Sequence, residues 1–218
     1  DKWFESKINE SIKNATESME NMLFKSAVQY SLMEMHRNLR WYLKRTNNAP
    51  NKELIKLFIE SIIKMLAPVI PHFCEECWHL IGKKSFVSVE QWPKANLKAI
   101  SKSLDYSEEF IETTLSDIRE VLKLAKIDKP KAIKLFLIPL WKYELFEKAN
   151  KLIESKNPNE VLKEIMKDES LRRYGQDIQK FLPKMIASRK MPQLRLGKEE
   201  ELNAIKESLE FIKSEFNC

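Results

Sequence analysis

The sequence predicts a mainly α protein in which a helical bundle, residues 1–104, is followed by a small α+β domain, residues 105–218. Apolar residues recur at helical spacing along most of the chain, which favours helices throughout. One run, Ala132 to Ile138, is rich in Ile, Leu and Phe and is typical of a strand. A connector that closes with Trp92-Pro93 separates the two parts, because the residue before a proline disfavours helix.

The bundle is predicted to begin with two helices between Trp3 and Arg45, joined near Glu20-Asn21. Two apolar stripes indicate them, the first formed by Ile8, Ile12 and Ala15 and the second by Val28, Leu32, Met35, Leu39 and Leu43. After a turn, Asn51 can cap a third helix, which Pro68 ends. Pro71 can then occupy the first turn of a fourth helix, and Gly82 lies just past its end.

The second part is predicted to start with an amphipathic helix over Ser107–Ile127, followed by the strand. Further helices are expected at about Tyr143–Ser155, Pro158–Met166, Ser170–Ser188 and Glu199–Phe216. A lone strand cannot satisfy its own backbone groups, so we expect its partner strands to come from chain beyond Cys218. The sequence therefore reads as a fragment whose second domain is truncated at its C-terminus.

Composition argues against an active site within these residues. Three glycines in 218 residues leave little room for a Gly-rich loop that cradles phosphates. There is no Gly-x-Ser-x-Gly elbow, and the three histidines have no evident acid and nucleophile beside them. Three cysteines form no disulfide framework, which favours a reducing, intracellular setting.

The positive charge is concentrated in one segment. Between Arg172 and Arg195 there are seven basic residues and one acid, Asp177; with 38 basic and 32 acidic residues in the chain, the remainder balances at 31 to 31. Such a segment attracts polyanions by neutralising phosphates and releasing counterions, so RNA or DNA is the first partner to consider. An ordinary solvated helix face is the alternative.

A second candidate site is the run His72-Phe73-Cys74-Glu75-Glu76-Cys77-Trp78-His79, in which two cysteines and two histidines could ligate zinc. On a helix Cys74 and Cys77 share a face, but His72 points about 160° away from Cys74 at roughly 100° per residue. The four groups would converge only if the helix unwound. We therefore interpret the cysteines as core residues and expect no metal site.

The stretch Leu66-Ala67-Pro68-Val69-Ile70-Pro71-His72-Phe73-Cys74-Glu75-Glu76-Cys77-Trp78 resembles a signature of class Ia aminoacyl-tRNA synthetases, those for leucine, isoleucine, valine and methionine. That signature, Leu-Ala-Pro-x-x-Pro-His-x-x-Glu-Glu-x-Trp, belongs to the helical anticodon-binding domain, and every fixed position matches. Met19–Ala27 and Asn38–Leu43 continue the likeness. The resemblance implies a helical bundle of the class Ia anticodon-binding type.

The run from Lys134 to Tyr143, in which a strand leads into Pro-x-Trp-Lys, is similar to the C-terminal domain of archaeal and eukaryotic leucyl-tRNA synthetases. Arg173–Lys180 and the closing amphipathic helix fit the same domain. The His-Ile-Gly-His and Lys-Met-Ser-Lys-Ser signatures of that family are missing, as is its editing domain. The resemblance thus implies that ATP and leucine chemistry lies N-terminal to Asp1, with ATP and Mg expected in the parent enzyme and no cofactor, metal or catalytic residue here.

On this resemblance the chain is the tRNA-binding C-terminal part of a leucine–tRNA ligase, the enzyme that attaches leucine to tRNA(Leu) using ATP. Its partners would be tRNA(Leu) and the catalytic and editing domains of the parent chain, in a monomeric cytoplasmic protein that does not enter a membrane. In that family the bundle packs along the inner side of the tRNA without reading the anticodon. The last domain recognises the long variable arm.

The tRNA contacts are expected from eleven basic residues: Arg37, Arg40, Lys44 and Arg45 in the bundle, and Arg172, Arg173, Lys180, Lys184, Arg189, Lys190 and Arg195 in the last domain. Trp41 and Trp141 can stack on bases or belong to the core. Two other functions remain open at this point. The chain can be the corresponding part of an isoleucine or valine enzyme, or a helical protein-interaction module with a basic surface.

Overall fold

A computed structural model of the chain describes residues 1–153, 157–188 and 194–216. The chain divides into two compact units, Asp1–Asp105 and Tyr106–Cys218. Within the described ranges the regular structure is helical and no strand is formed, which confirms the mainly α prediction. None of the helices in these ranges is long and apolar enough to cross a lipid bilayer.

The first unit packs its helices around α1. Its helices are α1 (Lys2–Glu20), α2 (Phe24–Val28), α3 (Met35–Arg45), α4 (Lys52–Leu66) and α5 (Pro71–Leu80), with a π-helix at Gln29–Glu34 and 3-10 turns at Val87–Val89 and Leu97–Ala99. Phe4 of α1 stacks on Tyr42 of α3, with ring centroids 4.2 Å apart, and also contacts Phe58 of α4. These rings join three helices in one core.

The helix boundaries follow the local chemistry of the sequence. The side chain of Asn51 accepts hydrogen bonds from the N–H groups of Glu53 (2.9 Å) and Leu54 (3.4 Å), so it caps α4 as predicted. Pro71 is the first residue of α5, where its missing N–H costs nothing. Gly82 follows the end of α5 with a φ of +84°, a conformation that other residues adopt only with strain.

A second cluster of the first unit joins α4, α5 and the connector that follows them. Its buried members are Ile63, Leu66, Cys74, Trp78 and Val87. The indole N–H of Trp78 donates to the Ser85 hydroxyl at 3.3 Å, which satisfies a polar group that would otherwise be buried unpaired. This cluster holds the connector against α5.

The second unit has its own core. From residue 102 onward the helices are α6 (Lys102–Ala125), α7 (Leu140–Ile153), α8 (Pro158–Ile165), α9 (Glu169–Arg172), α10 (Gly175–Ala187), α11 (Lys198–Glu207) and α12 (Leu209–Phe216). Helices α7 to α10 bury Leu145, Ala149, Val161, Ile165, Leu171, Ile178 and Leu182 together. That core fixes the positions of α9 and α10.

The structure does not show the α+β character predicted for residues 105–218. Residues 132–138 form neither helix nor strand, although their composition is typical of a strand. A β-strand is stable only where a neighbouring strand pairs with its N–H and C=O groups. No described residue forms such a ladder with this segment.

Two predicted helices are each interrupted. The helix predicted over Ser170–Ser188 is α9 and α10, which are separated by Arg173-Tyr174. The helix predicted over Glu199–Phe216 is α11 and α12, which are separated by Ser208. Apolar periodicity continues across both breaks, so the pattern alone does not reveal them.

Candidate nucleic-acid interface

Three of the four basic residues predicted in the bundle share the exposed side of α3. At roughly 100° per residue, Arg37, Arg40 and Lys44 fall within an arc of about 60°. All three are exposed. The opposite side of α3 is buried and carries Met35, Asn38 and Tyr42. Packing of that apolar side therefore directs a row of positive charge to solvent, as a phosphate contact requires.

The four basic residues of α3 differ in their exposure and in whether their side chains already interact within the protein. Arg45 is half-buried and lies about 80° around the helix from Arg37, so the structure separates it from the other three. Lys44 and Arg45 each take part in an intramolecular interaction. Arg37 and Arg40 form no ion pair with any residue that the structure describes. These two arginines are the best placed of the α3 set to contact an anion.

Arg172 and Arg173 lie exposed at the turn between α9 and α10, and this turn is firmly held. The carboxylate of Asp168 caps α9 by accepting from the Ser170 N–H at 2.9 Å, and it forms an ion pair with Lys148 of α7. The bond from Lys148, aided by those from Ser170, lowers the pKa of Asp168 to about 2. The carboxylate is therefore ionised at neutral pH and fixes the start of α9.

The far side of the same turn is held by aromatic stacking. Tyr174 lies flat against Trp141 of α7, with ring centroids 4.5 Å apart and an interplanar angle of 8°. Both rings border the core that contains Leu171 and Ile178. The ring face that Trp141 turns to Tyr174 is thus occupied, which favours the core interpretation of this tryptophan over base stacking.

Lys180 and Lys184 are exposed and share one side of α10, since residues four apart are neighbours on a helix. Asp177, one turn before Lys180, lies on the same side and offsets part of their charge. The α9–α10 basic segment, which we define as Arg172, Arg173, Lys180 and Lys184, therefore has two arginines at the turn and two lysines along the following helix.

The remaining predicted residues are placed differently. Arg195 is engaged within the second unit: its Nη1 donates to the Glu109 carboxylate at 2.5 Å, and its guanidinium lies 5.2 Å from the centre of the Tyr106 ring. An RNA phosphate would have to compete with that carboxylate. Arg189 and Lys190 lie outside the described residues.

Five exposed lysines lie outside the set of eleven basic residues predicted to contact tRNA. We call them the lysine-rich segment: Lys123, Lys126, Lys129, Lys131 and Lys134. None of the five forms an ion pair within the described part of the chain, so each charge is available to solvent. Residues 123–134 contain a single acid, Asp128, but the acids between Asp105 and Leu122 nearly balance these lysines in the sequence, so charge alone did not single them out.

The cysteines of the signature are part of the core. Cys74 is 1% exposed and packs in the Trp78 cluster, and burial, helped by the nearby Cys77 and Glu75, raises the pKa of its thiol to about 11. His72 and His79 are exposed. Among the described residues no three His, Cys, Asp or Glu side chains come together in a way that could hold a metal ion.

Residues 1–135 match the family model described as the anticodon-binding domain of tRNA ligases. The chain belongs to this family. That match covers the α3 arginines, the signature and the whole first unit. Membership in the anticodon-binding domain family confirms the synthetase resemblance, and it gives the exposed arginines of α3 a nucleic-acid context.

Similarity to known proteins extends beyond this anticodon-binding domain into the second unit. The chain is 30% identical over 213 residues to the leucine–tRNA ligase of Pyrococcus abyssi, covering 96% of this chain. It is 33% identical over 219 residues to that of Methanocaldococcus jannaschii and 34% identical over 221 residues to that of Methanococcus vannielii, covering 99% and 100% of this chain. The chain spans about a fifth of the length of these relatives, 22% in each case.

Proposed function

We propose that this chain is the tRNA-binding part of a leucine–tRNA ligase, in which both units contact tRNA(Leu) and position it for an active site held by other parts of the enzyme. The proposal rests on how much of the chain is similar to leucine–tRNA ligases. The family model matches residues 1–135, whereas relatives named as leucine–tRNA ligases align over 96% to 100% of the chain. The second unit is thus shared with leucine enzymes as well.

The surface chemistry supports this role. Each unit carries exposed arginines on a rigid support: Arg37 and Arg40 on α3, and Arg172 and Arg173 at the α9–α10 turn. Arginine pairs with phosphate bidentately, so rigidly placed arginines set the register of an RNA backbone without reading its bases. The proposal gives these residues no step of the ligase chemistry, which requires ATP and Mg²⁺ at other sites of the parent enzyme.

The proposal also assigns separate parts of the tRNA to the two units. The first unit would contact the body of the tRNA through α3, and the second would contact the long variable arm through the α9–α10 basic segment. Removing the variable arm should then weaken binding without abolishing it, because the α3 contacts remain.

A gel-shift titration of the 218-residue chain tests the proposal. The probes are a leucine tRNA transcript, the same transcript without its variable arm, and isoleucine and valine tRNA transcripts. We expect the intact leucine tRNA to bind most tightly. Tighter binding of the isoleucine or valine tRNA would favour the corresponding enzyme, and equal binding of all three tRNAs would favour a general RNA-binding role. Absence of binding at low salt would overturn the proposal in favour of a protein-interaction module.

A further inference from the structure

The lysine-rich segment runs into the most exposed large apolar side chain among the described residues. Phe136 is 88% exposed and lies two residues after Lys134. A soluble protein usually shields a phenylalanine, since burying one stabilises the fold by roughly 1.5–3 kcal/mol. Five unpaired lysines followed by an exposed aromatic ring are the combination found where proteins bind single-stranded nucleic acid.

The conformation of this region presents the charges and the ring together. Residues 132–137 form neither helix nor strand and take no part in the backbone hydrogen bonds formed among the described residues. Ile133 and Leu137 are half-buried and Lys134 and Phe136 are exposed; all four line an apolar cavity of about 970 Å³ against α6. The lysine side chains and the Phe136 ring are therefore accessible to a ligand, and the ring borders this cavity.

We propose that the lysine-rich segment and Phe136 bind a single-stranded stretch of the bound tRNA. The lysines neutralise successive phosphates, and the Phe136 ring stacks on one unpaired base. This inference rests on the proposed tRNA-binding function. It adds to the second unit a contact surface that differs in sequence and in chemistry from the α9–α10 basic segment, which has no exposed aromatic residue in its described part.

The charge pattern favours RNA over a polypeptide as the occupant. A segment whose backbone groups are unpaired can also accept an added β-strand from another chain. Lysines on such an edge disfavour strand addition, and natural proteins use them for that purpose. Five unpaired lysines instead complement a polyanion, and the N–H groups of residues 132–137, which form no backbone hydrogen bond among the described residues, are additional donors for phosphate oxygens.

The first test neutralises three lysines. The triple variant Lys129→Gln, Lys131→Gln, Lys134→Gln of the 218-residue chain is titrated with a leucine tRNA transcript by fluorescence anisotropy at increasing NaCl. We expect weaker binding and a salt slope that is smaller by about two, since each phosphate contact on a single strand contributes about 0.7 to that slope. The matched control is Lys163→Gln, Lys206→Gln, Lys213→Gln, which removes the same charge from α8, α11 and α12; its slope should stay close to that of the unaltered chain.

The second test separates stacking from charge. Phe136→Ala should lower the affinity for the same transcript roughly 5- to 150-fold, the range expected for one base–aromatic stack, with an unchanged salt slope. Phe136→Trp retains a stacking surface and should bind as the unaltered chain does. Thermal unfolding should be unaffected by either change, because the ring makes few contacts within the protein.

The outcomes distinguish this inference from the proposed function. If the unaltered chain binds the transcript but the lysine and Phe136 variants bind equally well, the inference is overturned and the proposed function stands. If the unaltered chain binds no tRNA, both fall together. If Phe136→Ala lowers the unfolding temperature, the ring packs within the protein and is not free to stack on a base, and the stacking contact is overturned.

Discussion

The carboxylate of Glu75 on α5 accepts hydrogen bonds from two consecutive backbone N–H groups of the connector, those of Val87 at 2.8 Å and Ser88 at 3.1 Å. It thereby fastens the connector to α5 while the Val87 side chain enters the core. Glu75 is a fixed position of the class Ia signature, and its neighbour Glu76 is exposed. One of the two adjacent acids thus has a clear structural role.

Replacing Glu75 should destabilise the first unit. Glu75→Ala leaves two N–H groups without their acceptor, one of them partly buried, so we expect a lower unfolding temperature by circular dichroism. Glu76→Ala is the matched control and should unfold like the unaltered chain. Equal unfolding temperatures for the two variants would show that water replaces the carboxylate without loss.

The stabilisation by Glu75 should also depend on pH. Burial raises the pKa of this carboxyl, but the bonds from Val87 and Ser88 outweigh burial and lower the pKa below its ordinary value. A lowered folded-state pKa means that the stabilisation is present at neutral pH and is lost as the pH falls through that value. The difference in unfolding temperature between Glu75→Ala and the unaltered chain should therefore shrink below about pH 4.

Asp168 should give the second unit a measurable acid sensitivity. The pKa of Asp168 in the folded chain, about 2, lies below the ordinary aspartate value of about 3.9. The ionised carboxylate therefore stabilises the fold fully above about pH 3.9, and this stabilisation is lost as the pH falls towards 2. Asp168→Asn retains the cap but lacks the ion pair with Lys148. In urea unfolding between pH 5 and pH 2, the unaltered chain should lose more stability than this variant. Parallel pH profiles would contradict the assignment.

Reversing charge at the α9–α10 turn should weaken tRNA binding. Arg172→Glu with Arg173→Glu is expected to lower affinity for a leucine tRNA transcript and to flatten its salt dependence, because phosphate contacts are lost. Arg195→Glu is the control within the same unit, since that side chain is already paired with Glu109; its main effect should be on stability. An unchanged salt slope in the double variant would remove the phosphate role.

The α3 arginines should act independently of the variable arm. Arg37→Gln with Arg40→Gln is expected to weaken binding of the intact and the armless leucine tRNA by the same factor, because the proposal places α3 against the tRNA body. The α9–α10 double variant should instead lose affinity for the intact tRNA only. If both variants respond alike to removal of the arm, the assignment of separate tRNA regions to the two units is wrong.

The Cys74 thiol should be unreactive in the folded protein. Its burial and a pKa of about 11 leave almost no thiolate at pH 8, so alkylation followed by mass spectrometry should find Cys74 unmodified until urea is added. Cys74→Ser should cost about 1–3 kcal/mol by burying a hydroxyl among Ile63, Leu66 and Trp78. Cys74→Ala, which adds no polar group, serves as the control and should cost less. Rapid labelling of Cys74 in the folded chain would contradict its assignment to the core.

The helix boundaries that could be predicted from the sequence are those that depend on residues within one turn. Asn51, Pro71 and Gly82 act within one turn of themselves, so their types reveal the start of α4 and both ends of α5. The break at Tyr174 depends on stacking with Trp141, 33 positions earlier in the chain, and no local pattern encodes that contact. The segment 132–138 has strand composition, but pairing decides whether a strand forms.

The candidate site shows the same limit. Helical spacing correctly indicates that Arg37, Arg40 and Lys44 can share a side, because a helix converts spacing into direction. A count of charges cannot distinguish a free cation from a paired one. It therefore treats Arg195 like Arg172, although Arg195 forms an ion pair with Glu109. The charge of the lysine-rich segment is likewise offset in the sequence by the acids of the preceding helix, and only the structure shows that those acids do not pair with it.

The Trp78 cluster bears on how class Ia sequences are compared. Leu66, Trp78 and the Glu75 carboxylate all act inside the first unit, where they hold α4, α5 and the connector together. A match at these positions therefore indicates a shared architecture and does not identify the amino acid that an enzyme activates. Assigning a newly sequenced relative to leucine, isoleucine or valine would instead depend on positions outside this scaffold, where substitutions leave the packing of the helices intact.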